Sequence, residues 1–208
     1  MSGWPGTPDE ALQFLLDGNT RFVAGRADHP NQDAARRAAS ANVQRPFAVL
    51  FGCSDSRVAA EIVFDRGLGD LFVVRTAGHL VGEEVMASLE YAVAVLETPL
   101  VVVLSHDSCG AVGAALQAHE SGVTPPGHLR HIVERLTPEI LAARSQGLTD
   151  PDDIAKSHGR GTAREILAGS SLVRERVLDG RCGIVVLAYR LAEGRTNIVA
   201  SHGLGVHV

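Results

Sequence analysis

The sequence predicts an α/β fold: a mostly parallel central β-sheet flanked by helices, with an N-terminal helical arm and a late C-terminal hairpin. Three short, continuous apolar runs rich in valine, PFAVLFG (46–52), DLFVVRT (70–76) and PLVVVLS (99–105), have the length and composition of strands buried on both faces. Segments of helical character and crossover length separate and follow them, and such alternation indicates a wound βαβ sheet. The first and third runs also end in sulfur, imidazole and carboxylate side chains. In open α/β sheets, ligands gather beyond the carboxyl ends of strands.

The elements follow in order. TPDEALQFLLDGNTRFVAG reads as a helix in which Thr7 caps, Pro8 takes the first helical position and Glu10 completes a Thr-x-x-Glu capping box. Its apolar face carries Leu12, Leu15, Leu16, Phe22 and Val23, and Gly18 weakens its middle. Two packings suit that face, on the chain's own core or on another subunit. DAARRAASAN gives a second, short helix, before the three strands begin. EEVMASLEYAVAVLE is the crossover helix between the second and third strands, and CGAVGAALQAHE is a helix after the third. SGVTPPG (121–127) is a loop, and residues 128–180 read as helices broken by Pro138, Gly147 and TDPDD. GIVVLAYRLAEGRTNIVA reads as a hairpin turning near Glu193-Gly194. No repeat or linker divides the chain, so a single domain over 1–208 is expected, with a helical arm (1–42) and an α/β core (46–200).

Composition narrows the function classes. The 208 residues are 45% hydrophobic and 21% charged, with a net charge of −5, which argues against nucleic acid as a partner. Lys156 is the single lysine, so no polybasic run suits a membrane surface, and no apolar run approaches the ~20 residues of a membrane span. The start, MSGWPGTPDEAL, lacks the pattern of a signal peptide, and a cytoplasmic protein is expected. Three cysteines, Cys53, Cys109 and Cys182, point to metal binding or catalysis rather than a disulfide framework.

The chemistry concentrates in VLFGCSDSRV (49–58) and HDSCGAV (106–112). Cys53 ends one strand, and His106 and Cys109 follow another, so parallel strands bring chain-distant residues together. His106 and Cys109, three apart at a turn opening a helix, suit one metal, and the helix N-terminus favours a thiolate at Cys109. Two thiolates and an imidazole favour Zn²⁺ and leave one tetrahedral position open. Against this, a buried cysteine alone is often just a small hydrophobe, and Cys182 in its apolar strand reads that way. Asp55 and Arg57 suit either a loop salt bridge or a carboxylate facing the open metal position and held by the guanidinium fork. The other histidines (29, 79, 119, 128, 131, 158, 202 and 207) show no partner spacing, which favours surface or structural roles.

CSDSR followed by HDSCG resembles the paired signature of the β-class carbonic anhydrases, and LLDGNTRFVAG, FVVRTAG and SLEYAVAVLETPLVVVLSHDSCGAV are similar to bacterial members of that family. The resemblance covers roughly residues 7–200. It implies one zinc per chain on Cys53, His106 and Cys109, with a catalytic pair Asp55 and Arg57 and with Asp55 as a fourth ligand in a closed state. It implies pocket residues Gln44, Phe72 and Tyr91, matching the plant-type branch, and a backbone contact to substrate at Gly110. Leu50 stands where the bicarbonate-regulated branch has a tryptophan, so no regulatory bicarbonate site is expected despite Arg75. Ala77 replaces a larger aliphatic residue of the plant-type pocket. The implied activity is carbonic anhydrase (carbonate dehydratase), a zinc lyase that hydrates carbon dioxide reversibly to bicarbonate through hydroxide generated at zinc. The implied partner is a second copy of the chain, in a homodimer or homotetramer, with the first helix packed on that copy. Two alternatives stay open: a carbonyl sulfide or carbon disulfide hydrolase on the same fold, and a non-catalytic zinc-binding structural protein. The second would close the site with Asp55 permanently, which Arg57 argues against.

Overall fold

A computed structural model describes residues 4–206. Met1–Gly3 and the C-terminal pair, which includes His207, lie outside the described residues. Among the described residues the sheet has five strands: β1 (Ala48–Cys53), β2 (Leu71–Thr76), β3 (Leu100–His106), β4 (Gly183–Arg190) and β5 (Arg195–His202). Their order is β2-β1-β3-β4-β5, with the first four parallel and β5 antiparallel to β4. The expected α/β class is thus present, including the late hairpin, whose turn uses Gly194 at φ +68°.

The strands are valine-rich runs because both faces of the sheet are covered. On one face Val49, Phe51, Val101, Val103, Ile184 and Val186 pack against α4 (Glu83–Glu90), α7 (Pro151–Gly169) and α8 (Ser171–Leu178). On the other, Leu50, Val102, Leu104, Val185 and Leu187 meet α1 (Pro8–Val23) and α3 (Ala60–Val63). A third cluster, beyond the carboxyl ends of β1 and β3, joins α5 (Gly110–Ser121), α6 (Leu129–Ser145) and the start of α7. The remaining helix, α2 (Ala34–Ala39), buries no side chain.

Strand order fixes where a site can form. From β1 the chain steps to one side for β2, then crosses to the other side of β1 for β3. The carboxyl ends of β1 and β3 therefore flank the point where the winding reverses, the crevice in which α/β sheets bind ligands.

Three details differ from the sequence reading. The α1 cap is as expected, with Thr7 and Glu10 closing a reciprocal box, but Leu12 and Leu15 are buried against the chain's own sheet. The rest of that face is open, with Leu16 and Phe22 half-buried and Val23 exposed. Gly18 is where α1 crosses the carbonyl of Phe64, and a Cβ there would lie 1.8 Å from that oxygen. Pro138 does not break α6, which runs unbroken from Leu129 to Ser145. Burial of Val133, Leu136, Ile140 and Ala143 outweighs the one backbone bond the proline removes. The crossover helix changes pitch, passing from α4 into a π-turn over Tyr91–Val95.

Candidate metal centre

β1 delivers Cys53 at its last residue, and β3 delivers His106 at its last. Cys109 is the N-cap residue of α5, so its sulfur sits at a helix N-terminus. One donor atom from each of these three residues lies within 4.8 Å of the others, and all three residues are buried. The cysteines are free thiols.

The tautomer of His106 follows from its partner. Nδ1 lies 2.7 Å from the carbonyl oxygen of Asp107, which can only accept, so Nδ1 carries the proton. Nε2 is left as a buried lone pair with no hydrogen-bond partner among the described residues. An imidazole oriented by a backbone carbonyl, with its other nitrogen aimed into a thiol pair, fits a metal ligand. The thiols agree. Hydrogen bonding from Cys109, then from the Gly78 amide, pulls the Cys53 thiol well below its ordinary range despite burial. The thiolate so formed, together with burial, pushes Cys109 up. Both cannot be thiolates side by side without a cation, and Zn²⁺ suits this donor set.

Asp55 faces the cluster, with Oδ2 4.0 Å from His106 Nε2. Arg57 holds it in a fork: Nε donates to Oδ1 at 2.9 Å and Nη2 to Oδ2 at 2.7 Å. The Arg57 amide adds a third bond to Oδ1. These bonds, chiefly the guanidinium's, hold the carboxyl far below the usual carboxylate range. Asp55 is therefore a fixed carboxylate, acceptor-only, beside three metal donors.

Several supporting groups were not visible in the sequence. Gly78, at φ +66°, donates its N–H to Cys53 Sγ at 3.4 Å and gives its carbonyl to His158 Nε2 at 2.8 Å. A Cβ at Gly78 would stand 2.8 Å from that of Ala111, so both the φ and the close approach require glycine. Arg75 donates to the carbonyls of Cys53 and Asp55, at 2.9 and 2.6 Å, clamping the loop between them. His158 stacks on the buried His79 with ring centroids 4.2 Å apart. Burial and mutual proximity depress the basicity of His79, and burial depresses that of His158. Main-chain contacts and stacked rings leave no spacing pattern to read. Cys182 is a buried thiol in the sheet core, pushed up to about 12 by burial, and takes no part in the cluster.

The expected pocket residues divide. Gly110 opens α5 directly after Cys109, beside the cluster. Phe72 pairs with Val49 near the start of β2, whereas Cys53 pairs with Thr76 at its end. The four-residue offset puts about 13 Å of strand between them. Tyr91 lies beside Phe72, with centroids 6.2 Å apart, and Gln44 precedes β1. Gln44, Phe72 and Tyr91 thus sit toward the amino end of the parallel strands, away from their own chain's metal donors.

Comparison with known proteins agrees with this architecture. A family model described as Carbonic anhydrase matches residues 48–196. Carbonic anhydrase 2 of Mycobacterium tuberculosis is 52% identical over 188 residues, covering 90% of this chain and 91% of that protein. A carbonic anhydrase of Mycolicibacterium smegmatis is 51% identical over 191 residues, covering 92% and 93%. Among solved structures, a tetrameric β-carbonic anhydrase from Sordaria macrospora superimposes with a TM-score of 0.72 at 22% identity, covering 93% of this chain and 99% of that one. The Coccomyxa β-carbonic anhydrase solved with acetazolamide gives 0.70 at 25% identity, covering 90% and 85%. With its parallel sheet, its two-cysteine, one-histidine cluster and these likenesses over most of its length, the chain belongs to the β-carbonic anhydrase family.

Proposed function

We propose that the protein catalyses CO₂ + H₂O ⇌ HCO₃⁻ + H⁺ at the crevice between β1 and β3, with zinc as its cofactor. The observation that carries this reading is the fixed Asp55 carboxylate 4.0 Å from the free lone pair of His106. Cys53, His106 and Cys109 would hold one zinc per chain. Zinc, when bound, supplies a Lewis acid that makes water a competent nucleophile near neutral pH.

The protein's own groups supply orientation and exclusion. Asp55, with its oxygens pinned by Arg57, accepts a hydrogen bond from the attacking water and directs a lone pair at the carbon of CO₂. The first-turn amides of α5, beginning at Gly110, offer donors to the oxygens on which charge develops. The same fork keeps the Asp55 carboxylate from turning into the metal position. Gln44, Phe72 and Tyr91 cannot serve their own chain's site from the far end of the strands. We assign them to the site of a second copy, which makes the working unit a homo-oligomer of at least two chains. A tetrameric relative of the same fold is in keeping with this. Among the described residues no helix is long and apolar enough to cross a membrane.

Stopped-flow CO₂ hydration by the zinc-loaded protein tests the reading, with metal content measured on the same samples. Cys53→Ser and Cys109→Ser are expected to lose zinc and activity together, and Cys182→Ser to keep both. Full zinc retention in either of the first two defeats the ligand assignment. Absent hydration by fully loaded protein, with turnover of carbonyl sulfide instead, defeats the substrate assignment.

A further inference from the structure

The turn that joins the second and third metal donors is strained. Ser108 lies between His106 and Cys109 with φ +51°, in the left-handed region that a non-glycine residue avoids. Such a conformation persists where surrounding contacts over-determine it. Here they come from both sides of one residue. The Ser108 carbonyl accepts from Arg57 Nη2 at 3.3 Å, and its N–H donates to Asp152 Oδ1 at 3.1 Å.

Asp152 is not consumed by its own helix. Asp150 caps α7, accepting from the amides of Asp152 and Asp153. The second oxygen of Asp152 accepts from Arg190 Nη1 at 3.0 Å, at the end of β4. Arg190 Nε also approaches Asp107 Oδ2 at 3.5 Å, and Asp107 Oδ1 accepts from the Leu191 amide at 2.8 Å. Every residue of the turn is thereby assigned. Asp107 is tied to β4 by its side chain and orients His106 by its carbonyl. Ser108 is tied to α7 by its amide and to the Asp55–Arg57 pair by its carbonyl.

We propose that Asp152, braced by Arg190, is a positioning residue of the metal centre. It holds the Ser108 peptide in the orientation that aims Cys109 at His106 and that gives Arg57 its second anchor. The proposal rests on the reading of Cys53, His106 and Cys109 as the zinc ligands. Its physical basis is that groups supporting ligands from behind commonly change metal affinity by roughly 10–100-fold when removed. Asp153 gives a matched control, since it occupies the same first turn of α7 but pairs with Lys156 instead.

The test is zinc affinity by chelator competition, together with the visible and near-ultraviolet spectrum of the cobalt(II)-substituted protein, whose thiolate-to-metal band reports Cys–metal geometry. Asp152→Ala is expected to weaken zinc binding roughly 10–100-fold and to shift the thiolate band. Asp152→Asn should fall between, because its amide oxygen still accepts from Ser108 while the ion pair with Arg190 is lost. Asp153→Ala should match the parent in both readouts. A purely structural role in α7 would lower stability in the two alanine variants without moving the band. Parent-like affinity and spectrum in Asp152→Ala, or equal changes in Asp153→Ala, overturn the proposal. Cys109→Ser, run in parallel, separates the two readings: zinc retention there defeats the ligand assignment, whereas its loss beside a parent-like Asp152→Ala defeats only the role of Asp152.

Discussion

Arg57 is exposed over about half its side-chain surface (53%), yet it holds Asp55 beside the metal donors through two short bonds. An ordinary surface ion pair contributes little, with a median near 0–1 kcal/mol. The geometry argues for a different use. The planar fork occupies both oxygens of a carboxylate that would otherwise be free to ligate zinc. Arg57→Ala is therefore expected to keep its zinc and lose most of its CO₂ hydration, by at least roughly 10–100-fold, with Asp55 bound to metal in a crystal structure. Arg57→Lys should recover part of the loss, having charge without the fork. Near-parent hydration by the alanine variant would return Arg57 to the status of a loop ion pair. At this scale the legible residues were those with chemistry in their side chains: Cys53, Asp55, Arg57, His106 and Cys109. Gly78, Ser108 and Asp152 were hidden, because they act through peptide groups that every residue carries and through contacts that exist only once the strands are side by side.

Elements were legible where local chemistry and burial agree. The capping box starts α1 at the expected residue, and runs of valine became strands. Pro138 and the π-turn at Tyr91–Val95 were not legible, since tertiary packing decides both. The meeting of α7 with the 77–79 turn was equally hidden, and it has an energetic signature. His79 and His158 are buried and neutral in the fold, each held below the ordinary imidazole value of 6.5. The unfolded chain titrates near that value, so below it the unfolded state binds protons that the fold refuses. Stability is then full above about pH 6.5 and declines as pH falls further, with a limit of about 1.4 kcal/mol per pH unit for each imidazole. Urea unfolding of the metal-free protein between about pH 7 and 4.5 should show this slope, and His158→Gln should flatten it. His106 is present in both proteins and cancels in the difference. Parallel curves for parent and variant would remove the buried pair as the cause.

For the whole molecule, the fold class and winding were legible from the alternation of elements, whereas the placement of α1 was not. Its apolar stripe suits either a partner or its own sheet, and the position of Phe47, Leu50 and Val185 on the same face takes Leu12 and Leu15 for the sheet while Val23 stays exposed. Oligomerisation has its strongest ground elsewhere, in the separation along β1 and β2. Cys53 stands at one end of the parallel strands, and Gln44, Phe72 and Tyr91 lie toward the other. If each site is completed across a subunit boundary, a lesion in the donors and a lesion in the pocket belong to different sites even when they lie in one chain's length. Two defective alleles can then repair one another. Cys53→Ser and a Gln44→Ala, Tyr91→Ala double variant, each of low activity alone, should recover on co-expression about a quarter of the parent's activity. Random pairing gives that fraction when mixed dimers each contain one whole site. Co-expressed chains no more active than the average of the two separate preparations would show that each subunit works on its own. Recovery would show that the catalytic unit is shared between genes' products rather than encoded whole in each.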